Sequence, residues 1–308
     1  MQKGVVVKST GSWYNVRLQD NRVIECRIRG KFRVKGLTNV RLTNPISVGD
    51  VVYVEEEPDA SIIKKIEDRR NYIIRRSTNL SKEAHIIASN VDQTLLIVTI
   101  NHPKTSTIFL DRFLASAQAY NIPAILVFNK IDLYEEEDEM MHQYLKNIYE
   151  KIPYKCLSVS ALKGENIEQL RLLLKDKTTV LSGISGVGKS SLINKIDKNL
   201  DLKTGDISEA HDSGRHTTTF AQMHSLEFGG YIIDTPGVRS FGLVDMKKEE
   251  ISHYFPEIFS FSSGCKFNNC THVSEPSCAV RVAVENGEIS EYRYNSYLSL
   301  MSEEGKYR

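Results

Sequence analysis

Three segments of the 308-residue chain carry the residue types that phosphate and guanine chemistry require. Gly183-Ile184-Ser185-Gly186-Val187-Gly188-Lys189-Ser190 fits the pattern G-x-x-x-x-G-K-[ST], between the apolar stretch TTVLS and the helical SSLINKI. Glycines let the backbone wrap close to phosphate oxygens, and successive N–H groups and a helix N-terminus face the anion. Lys189 adds a charge and Ser190 a hydroxyl ligand for Mg²⁺. The contact set read from the loop is Gly183, Ser185, Gly186, Val187, Gly188, Lys189, Ser190 and Ser191.

The base is chosen elsewhere. Asn129-Lys130-Ile131-Asp132 ends the apolar run AILVF. The Asp132 carboxylate can accept from both the ring N–H and the exocyclic amine of guanine, a donor pair adenine does not offer on that edge. Asn129 would brace the loop and contact the base, and Lys130 would lay its stem along the ring. Ser160-Ala161, closing CLSV, has the form of a second base loop, where a backbone N–H meets guanine O6.

Asp234-Thr235-Pro236-Gly237 follows YIID, where a switch II motif belongs. Asp234 would reach Mg²⁺ through water and the Gly237 N–H would bind the γ-phosphate. Between the two lies Gly214-Arg215-His216-Thr217-Thr218-Thr219, in a polar stretch suited to a switch I loop. Thr218 is the favoured second Mg²⁺ ligand, with Thr217 or Thr219 as alternatives. Val238 stands where many GTPases carry a water-orienting glutamine. An aliphatic side chain cannot orient water, so intrinsic turnover should be slow and catalysis should rest on Mg²⁺, Lys189 and backbone donors. His216 is a candidate water-orienting group; the alternative is a loop histidine that contacts RNA or solvent.

Cys265, Cys270, His272 and Cys278 form C-x4-C-x-H-x5-C. Three thiolates and an imidazole suit tetrahedral Zn²⁺, and four protein ligands leave no open position, so the ion would be structural. His253 is a more distant rival ligand. Cys26 and Cys156 read as packed thiols in strands. Near the N-terminus Arg27, Arg29, Lys31, Arg33 and Lys35 alternate with Ile28, Gly30, Phe32 and Val34, which puts five cations on one strand face. No acidic residue occurs from Cys26 to Gly49, so the face is a candidate for phosphate binding. Trp13 and Tyr14 could stack on bases, with a core role expected for Trp13.

The elements that must hold these groups fall into three parts. Residues 1–70 read as short strands (GVVVKS, WYNVRL, VIECRIRGKFRV, DVVYVEE) and suit a small β-barrel of the OB type. From 71 to 240 apolar strands alternate with amphipathic helices, the pattern of a mostly parallel sheet covered on both faces. Residues 241–308 hold the Cys/His cluster among helical stretches. The acidic run at 135–139 reads as a solvated loop or helix start. In the common GTPase order the phosphate loop comes first; here NKID and SA precede it, so the domain is circularly permuted. Joining neighbouring termini leaves the sheet and site intact. The chain after Gly237 then runs straight into the Cys/His segment, so loss of the γ-phosphate could move that part.

This order, with GRHTTT and DTPGV, resembles the ribosome small-subunit-dependent GTPase A family (RsgA, also described as YjeQ or YloQ) over essentially the whole chain. The resemblance implies an N-terminal OB-fold, a permuted GTPase domain and a C-terminal zinc-binding domain. It also implies a role in late maturation of the small ribosomal subunit, with hydrolysis stimulated by the subunit and driving release.

Composition limits the alternatives. The formal net charge is +1, but residues 1–76 hold 16 Lys/Arg against 9 Asp/Glu and residues 241–308 hold 7 against 10, so a polyanion should meet the N-terminal part first. No apolar run approaches the roughly 20 residues a membrane helix needs. A cytoplasmic monomer is expected, with GTP/GDP, Mg²⁺ and one Zn²⁺ as ligands and the small subunit and its rRNA as partner. Two other readings are a nucleotide-gated RNA-binding module without hydrolysis and a transport-linked or signalling GTPase, which the basic strand disfavours.

Overall fold

The computed structural model describes residues 1–28, 41–42, 44–57, 60–76, 83–200, 221–234 and 247–302. The readings on Arg29, Lys31, Arg33, Lys35, His216, Thr217, Thr218, Thr219, Gly237 and Val238 lie outside the described residues.

Strands β1 (Gln2–Ser9), β2 (Trp13–Leu18) and β3 (Val23–Ile28) form a meander. After the short β4 (Arg41–Leu42), β5 (Val51–Glu55) and β6 (Ser61–Ile66) complete a five-stranded barrel in the order β1-β2-β3-β6-β5, closed by β5 on β1. The β3–β6 pair is parallel. Period-two burial in β2 turns Tyr14, Val16 and Leu18 inward to meet Val6, Cys26, Val52 and Val54. Trp13 is thereby 39% exposed, whereas Tyr14 is buried and donates its hydroxyl to Asn44 Oδ1 at 2.6 Å. The expected core role of Trp13 is thus reversed: the strand's alternation, not side-chain size, decides which ring is inside. Strand β6 escapes a period-two reading because Ile62 and Ile63 are both buried, Ile63 within the barrel core, and a bulge opposite Tyr53/Val54 interrupts the pairing.

A hairpin of β7 (Tyr72–Arg76) and β8 (Glu83–Ser89), also bulged, forms a second sheet with β4. A buried ion pair fixes the barrel to it: Arg69 donates to both oxygens of Asp50 at 2.7 and 2.6 Å, and Ser89 donates to Asp50 Oδ1 at 2.6 Å.

The central sheet is built from β9 (Gln93–Val98), α1 (Thr107–Ala119), β10 (Ala124–Phe128), α2 (Glu136–Lys151), β11 (Lys155–Ser158), α3 (Ile167–Leu174), β12 (Thr178–Ser182), α4 (Lys189–Ile196), β13 (Gln222–Ser225) and β14 (Tyr231–Asp234). Strand order is β11-β10-β9-β12-β14-β13, parallel except for β13. Every residue of β9 is buried because the sheet is covered on both faces. Leu96 and Val98 meet Leu110, Phe113, Leu145 and Tyr149 of α1 and α2, whereas Leu95 and Ile97 meet Leu170, Leu192 and Ile193 of α3 and α4. The acidic run proves to be the start of α2, where carboxylates face the positive end of the helix dipole. Edge strand β13 pairs with β1 at Gln222 and Lys8, so the barrel continues the central sheet. Above that seam the Arg17 guanidinium lies 4.2 Å from the centre of the Tyr231 ring.

The C-terminal part packs a 3-10 segment (Lys248–Tyr254), α5 (Pro256–Ser262), α6 (Ala279–Glu285) and α7 (Glu291–Ser302) around Phe255, Ile258, Val280 and Tyr297, with Ala115 of α1 sharing this core. At the seam Arg293 of α7, 1% exposed, donates to Asp111 Oδ1 on α1 at 2.7 Å and to Glu257 Oε1 on α5 at 2.6 Å. Tyr149 of α2 also donates to Asp111, at 2.8 Å. Burial pushes the Asp111 carboxyl up and opposes charge on Arg293, but a guanidinium touching two carboxylates stays protonated.

Candidate functional site

Parallel strands deliver their carboxyl ends to one edge of the sheet, and the loops there form the site. The phosphate loop leaves β12 and enters α4 at Lys189. Two of its glycines sit where a Cβ would collide with a neighbouring loop or strand. Gly183 has φ +147°, and a Cβ there would run into the Ile97 carbonyl of β9. Gly188 has φ +92°, and a Cβ there would lie 2.5 Å from Asn129 Nδ2. Buried Val187 anchors the loop in the α3/α4 core, leaving Ser185 and Gly186 exposed. Lys189 Nζ spans the loop, donating to the Gly183 and Ile184 carbonyls at 2.8 and 2.7 Å. Ser190 and Ser191 lie in the first turn of α4, half-buried and exposed respectively. The arrangement is an anion cradle that a side chain at 183 or 188 would fill.

The base loops close on this cradle. Asn129, at the end of β10 and 1% exposed, donates to the Val187 carbonyl at 2.8 Å and accepts from the Ala161 N–H at 3.2 Å. One side chain thus ties three loops. Lys130, at φ +66°, donates to the Gly186 carbonyl at 2.7 Å and the His102 carbonyl at 2.6 Å. Asp132 lies in the 3-10 turn Ile131–Leu133, where Ser160 Oγ donates to its Oδ1. Ser160 Oγ also accepts from the Lys163 N–H at 3.0 Å, which fixes the hydroxyl. Asp234, half-buried, ends β14 at the same sheet edge. The structure therefore brings together every described nucleotide residue read from the sequence.

Sequence motifs missed the loop between β9 and α1. Thr99 Oγ1 donates to the Pro103 carbonyl at 2.5 Å and the Thr99 N–H to Thr105 Oγ1 at 3.1 Å, folding residues 99–105 against Gly186 and Lys130. Its only sequence signal is a polar stretch, NHPKTS, at the carboxyl end of an apolar strand. A layer behind Asn129 was also missed. The Tyr134 hydroxyl donates to the Asn129 carbonyl at 3.3 Å, and His142 stacks edge-on near Phe128 with Nε2 2.8 Å from Ser158 Oγ. Burial holds His142 below the usual histidine range.

Gly188→Ala is expected to weaken nucleotide binding about 5- to 150-fold, the equivalent of about 1 to 3 kcal/mol of backbone strain, because the methyl group would meet Asn129. Titration with a fluorescent GTP analogue checks this; unchanged affinity would show that the loop relaxes freely.

In the C-terminal part the ligand atoms of Cys265, Cys270, His272 and Cys278 lie within 4.8 Å of one another. Cys265 Sγ and Cys278 Sγ are 3.9 Å apart, and each is 3.5 Å from His272 Nδ1. A tetrahedral ion with Zn–S near 2.3 Å and Zn–N near 2.0 Å requires edges of about 3.8 and 3.5 Å, so the donor set fits. The knuckle is braced from α7, where Tyr294 and Tyr297 donate to the carbonyls of His272 and Thr271 at 2.7 and 2.6 Å. Burial would raise the Glu275 carboxyl, yet hydrogen bonds from Thr271 and neighbouring N–H groups hold it down to about 2. His253 stands apart from the cluster, packing edge-on against Phe259. Cys26 is buried in the barrel core and Cys156 is half-buried; burial pushes both thiols up to about 12, as packed thiols require.

Cys270→Ser is expected to lower bound zinc from about one ion per chain towards none and to make residues 247–302 protease-sensitive. Nucleotide affinity should change only a few-fold, since the phosphate and base loops lie on another core. Metal analysis with limited proteolysis tests it.

On the outer barrel face Arg27 is exposed and stands opposite Trp13 in the β2–β3 register. An exposed indole beside an unburied cation is an arrangement on which a nucleobase can stack.

A sheet in this order, with the phosphate loop entered after both base loops, defines a circularly permuted P-loop GTPase. Comparison with known proteins narrows the class. Residues 66–244 match the RsgA GTPase family model and residues 3–62 the RsgA N-terminal domain model. The chain is 55% identical over 309 aligned positions to the small ribosomal subunit biogenesis GTPase RsgA of Phocaeicola vulgatus, covering 99% of each chain. It is 54% identical to the protein of that name from Flavobacterium psychrophilum, covering 97% of this chain and 92% of that one. Among solved structures, YjeQ from Thermotoga maritima superposes with a TM-score of 0.76 at 38% identity, covering 97% of each chain. YloQ, described as a circularly permuted GTPase, gives 0.72 at 32% identity, covering 98% of this chain and 94% of that one. The chain belongs to the RsgA GTPase family. It is a GTP-hydrolysing enzyme, and the reading of the nucleotide as a purely shape-setting ligand is set aside.

Proposed function

We propose that this GTPase binds the small ribosomal subunit late in its maturation, that the subunit stimulates GTP hydrolysis, and that hydrolysis drives release. The observation that carries the reading is near-complete coverage, at 51–55% identity, of relatives named for small ribosomal subunit biogenesis. Such names also weigh against a transport or signalling GTPase. In this reading the protein is a cytoplasmic monomer, divided into a barrel at 1–70, a GTPase domain at 71–240 and a zinc domain at 241–308. Among the described residues no helix is long and apolar enough to cross a membrane.

The roles follow from chemistry. Asp132 reads guanine, Asn129 and Lys130 hold the base loop against the phosphate loop, and the Gly183–Ser191 segment cradles the phosphates. Lys189 neutralises charge that builds on the transferring phosphoryl group, and Gly237 offers its N–H to the γ-phosphate. Ser190 and Thr218 would hold Mg²⁺, with Asp234 reaching it through water, and the ion when bound supplies Lewis-acid stabilisation of phosphoryl charge. Val238 leaves water orientation to His216 or to a group from the subunit. Zn²⁺ on Cys265, Cys270, His272 and Cys278 is structural. Arg27, with Arg29, Lys31, Arg33 and Lys35, supplies the cationic face for rRNA, next to Trp13.

GTP turnover by the purified protein should rise steeply with small subunits, and ATP should not be turned over. Turnover that ignores small subunits would remove the stimulated-release reading. Binding to the subunit should weaken as salt rises, and the log-log slope should become shallower by about 1 for each cation of the Arg27 strand that is replaced by alanine. A slope unchanged in Arg27→Ala would show that this residue does not touch the RNA backbone.

A further inference from the structure

We infer that the cleft between the C-terminal end of α2 and the α6–α7 connection is a docking groove for a basic, amphipathic segment of a partner protein. The cleft has a volume of about 730 Å³ and lies on the seam between the GTPase core and the C-terminal part. Its floor is apolar: Ile148 and Ile152 come from α2 and its C-cap, Phe261 from α5, Val284 from α6, and Ile289 from the connection. Tyr144 and Tyr292 face each other across the seam, ring centres 5.8 Å apart and edge-to-face, while remaining 47% and 40% exposed. Aromatic side chains held in place and still open to solvent are suited to anchoring a partner.

The rim is mostly acidic. Glu285, Glu288 and Glu291 line it, are exposed, and make no ion pair among the described residues. They bracket the turn between α6 and α7, Glu285 ending one helix and Glu291 starting the next. Glu257 also lines the cleft, but its carboxylate is committed to Arg293. Lys151 is the one cation among the described lining residues. Phosphate groups of a nucleic acid would be repelled by this edge, whereas lysine or arginine side chains would be drawn to it while apolar side chains from the same segment filled the floor. The groove and the cationic barrel strand suit opposite partners, a basic protein segment in one case and a polyanion in the other. Neither the apolar floor nor the acidic rim depends on the small-subunit reading.

The test uses the full chain and a fluorescein-labelled synthetic peptide of about four helical turns, with leucines at i, i+3 and i+4 spacing and lysine and arginine elsewhere. Two companion peptides replace the cations by glutamate or the leucines by serine, and a benzophenone version reports location. The triple variant Glu285→Gln, Glu288→Gln, Glu291→Gln alters only exposed side chains, so fold and basal GTP turnover should not change. Fluorescence anisotropy should show binding of the basic peptide, weakened about tenfold in the triple variant and lost with either companion peptide. Cross-links should map to α2 or to residues 284–292. The docking groove is overturned if the basic peptide fails to bind, if the triple variant binds it equally well, or if cross-links fall elsewhere. It is also overturned if the same variant weakens binding of a single-stranded RNA, which would make the cleft a nucleic-acid surface.

Discussion

Replacing Asp132 by asparagine is expected to shift the enzyme's preference from GTP to xanthosine triphosphate, with GTP affinity falling about 10²- to 10⁴-fold. Guanine presents two N–H donors on one edge, and each hydrogen bond to a carboxylate is worth about 1.5 to 3 kcal/mol. An asparagine carboxamide keeps one acceptor and turns the other into a donor, which faces the guanine amine unfavourably but matches the carbonyl that xanthine carries there. The surrounding geometry should survive, because Ser160 Oγ can still donate to the side-chain oxygen it already holds and Lys163 still fixes Ser160. Binding titrations with GTP and xanthosine triphosphate check the exchange. A variant that keeps GTP within about threefold of the parent affinity would show that Asp132 does not read the base.

Why that site was legible while its surroundings were not follows from what each residue does. The phosphate loop, NKID and SA use residue types that few other backbones need at those spacings, so the residues proposed to hold the nucleotide stand out in the sequence. The strands that carry them are buried on both faces, and apolar runs such as QTLLIV at β9 stand out from the helices between them. Tyr134, His142 and the 99–105 loop act through other residues, by holding the Asn129 carbonyl, Ser158 and Lys130. A supporting contact can be made by many residue types from many places, so it leaves no spacing to read. In the barrel and in the β7–β8 hairpin, bulges interrupt the pairing and consecutive isoleucines are buried, which breaks the period-two pattern on which strands are recognised. Trp13 illustrates the remaining error: residue type suggested a buried ring, but its register with Arg27 turns it outward.

Connectivity also pointed to one link between nucleotide and zinc domain, the chain leaving Asp234, and residues 235–246 lie outside the described residues. A second link is visible in side chains. Helix α1 starts at Ser106, immediately after the loop whose His102 carbonyl holds Lys130, and its Asp111 is gripped by Arg293. The loop that holds Lys130 thus runs directly into a helix that packs against the C-terminal part.

Truncating Arg293 to alanine should therefore cost about 3 to 5 kcal/mol of stability, the penalty for removing one member of a buried ionic group and leaving its partners uncompensated. Asp111 would keep the Tyr149 hydroxyl but no cation, and Glu257 would lose both of its bonds to the guanidinium. The Phe255 ring, 4.6 Å from the guanidinium carbon, would face a cavity. If charge compensation is the main term, replacing the group together (Arg293→Met with Asp111→Leu and Glu257→Leu) should recover part of the loss, because apolar side chains need no desolvation to pack there, although the Tyr149 hydroxyl then loses its acceptor. Urea unfolding of the two proteins, with zinc content confirming that the metal knuckle is intact, separates this from a general collapse of the domain. Loosening α1 should also lower GTP affinity several-fold in Arg293→Ala and less in the triple variant. A stability change under about 1 kcal/mol would mean that the seam is held by its apolar contacts alone and that Arg293 merely fills space between them.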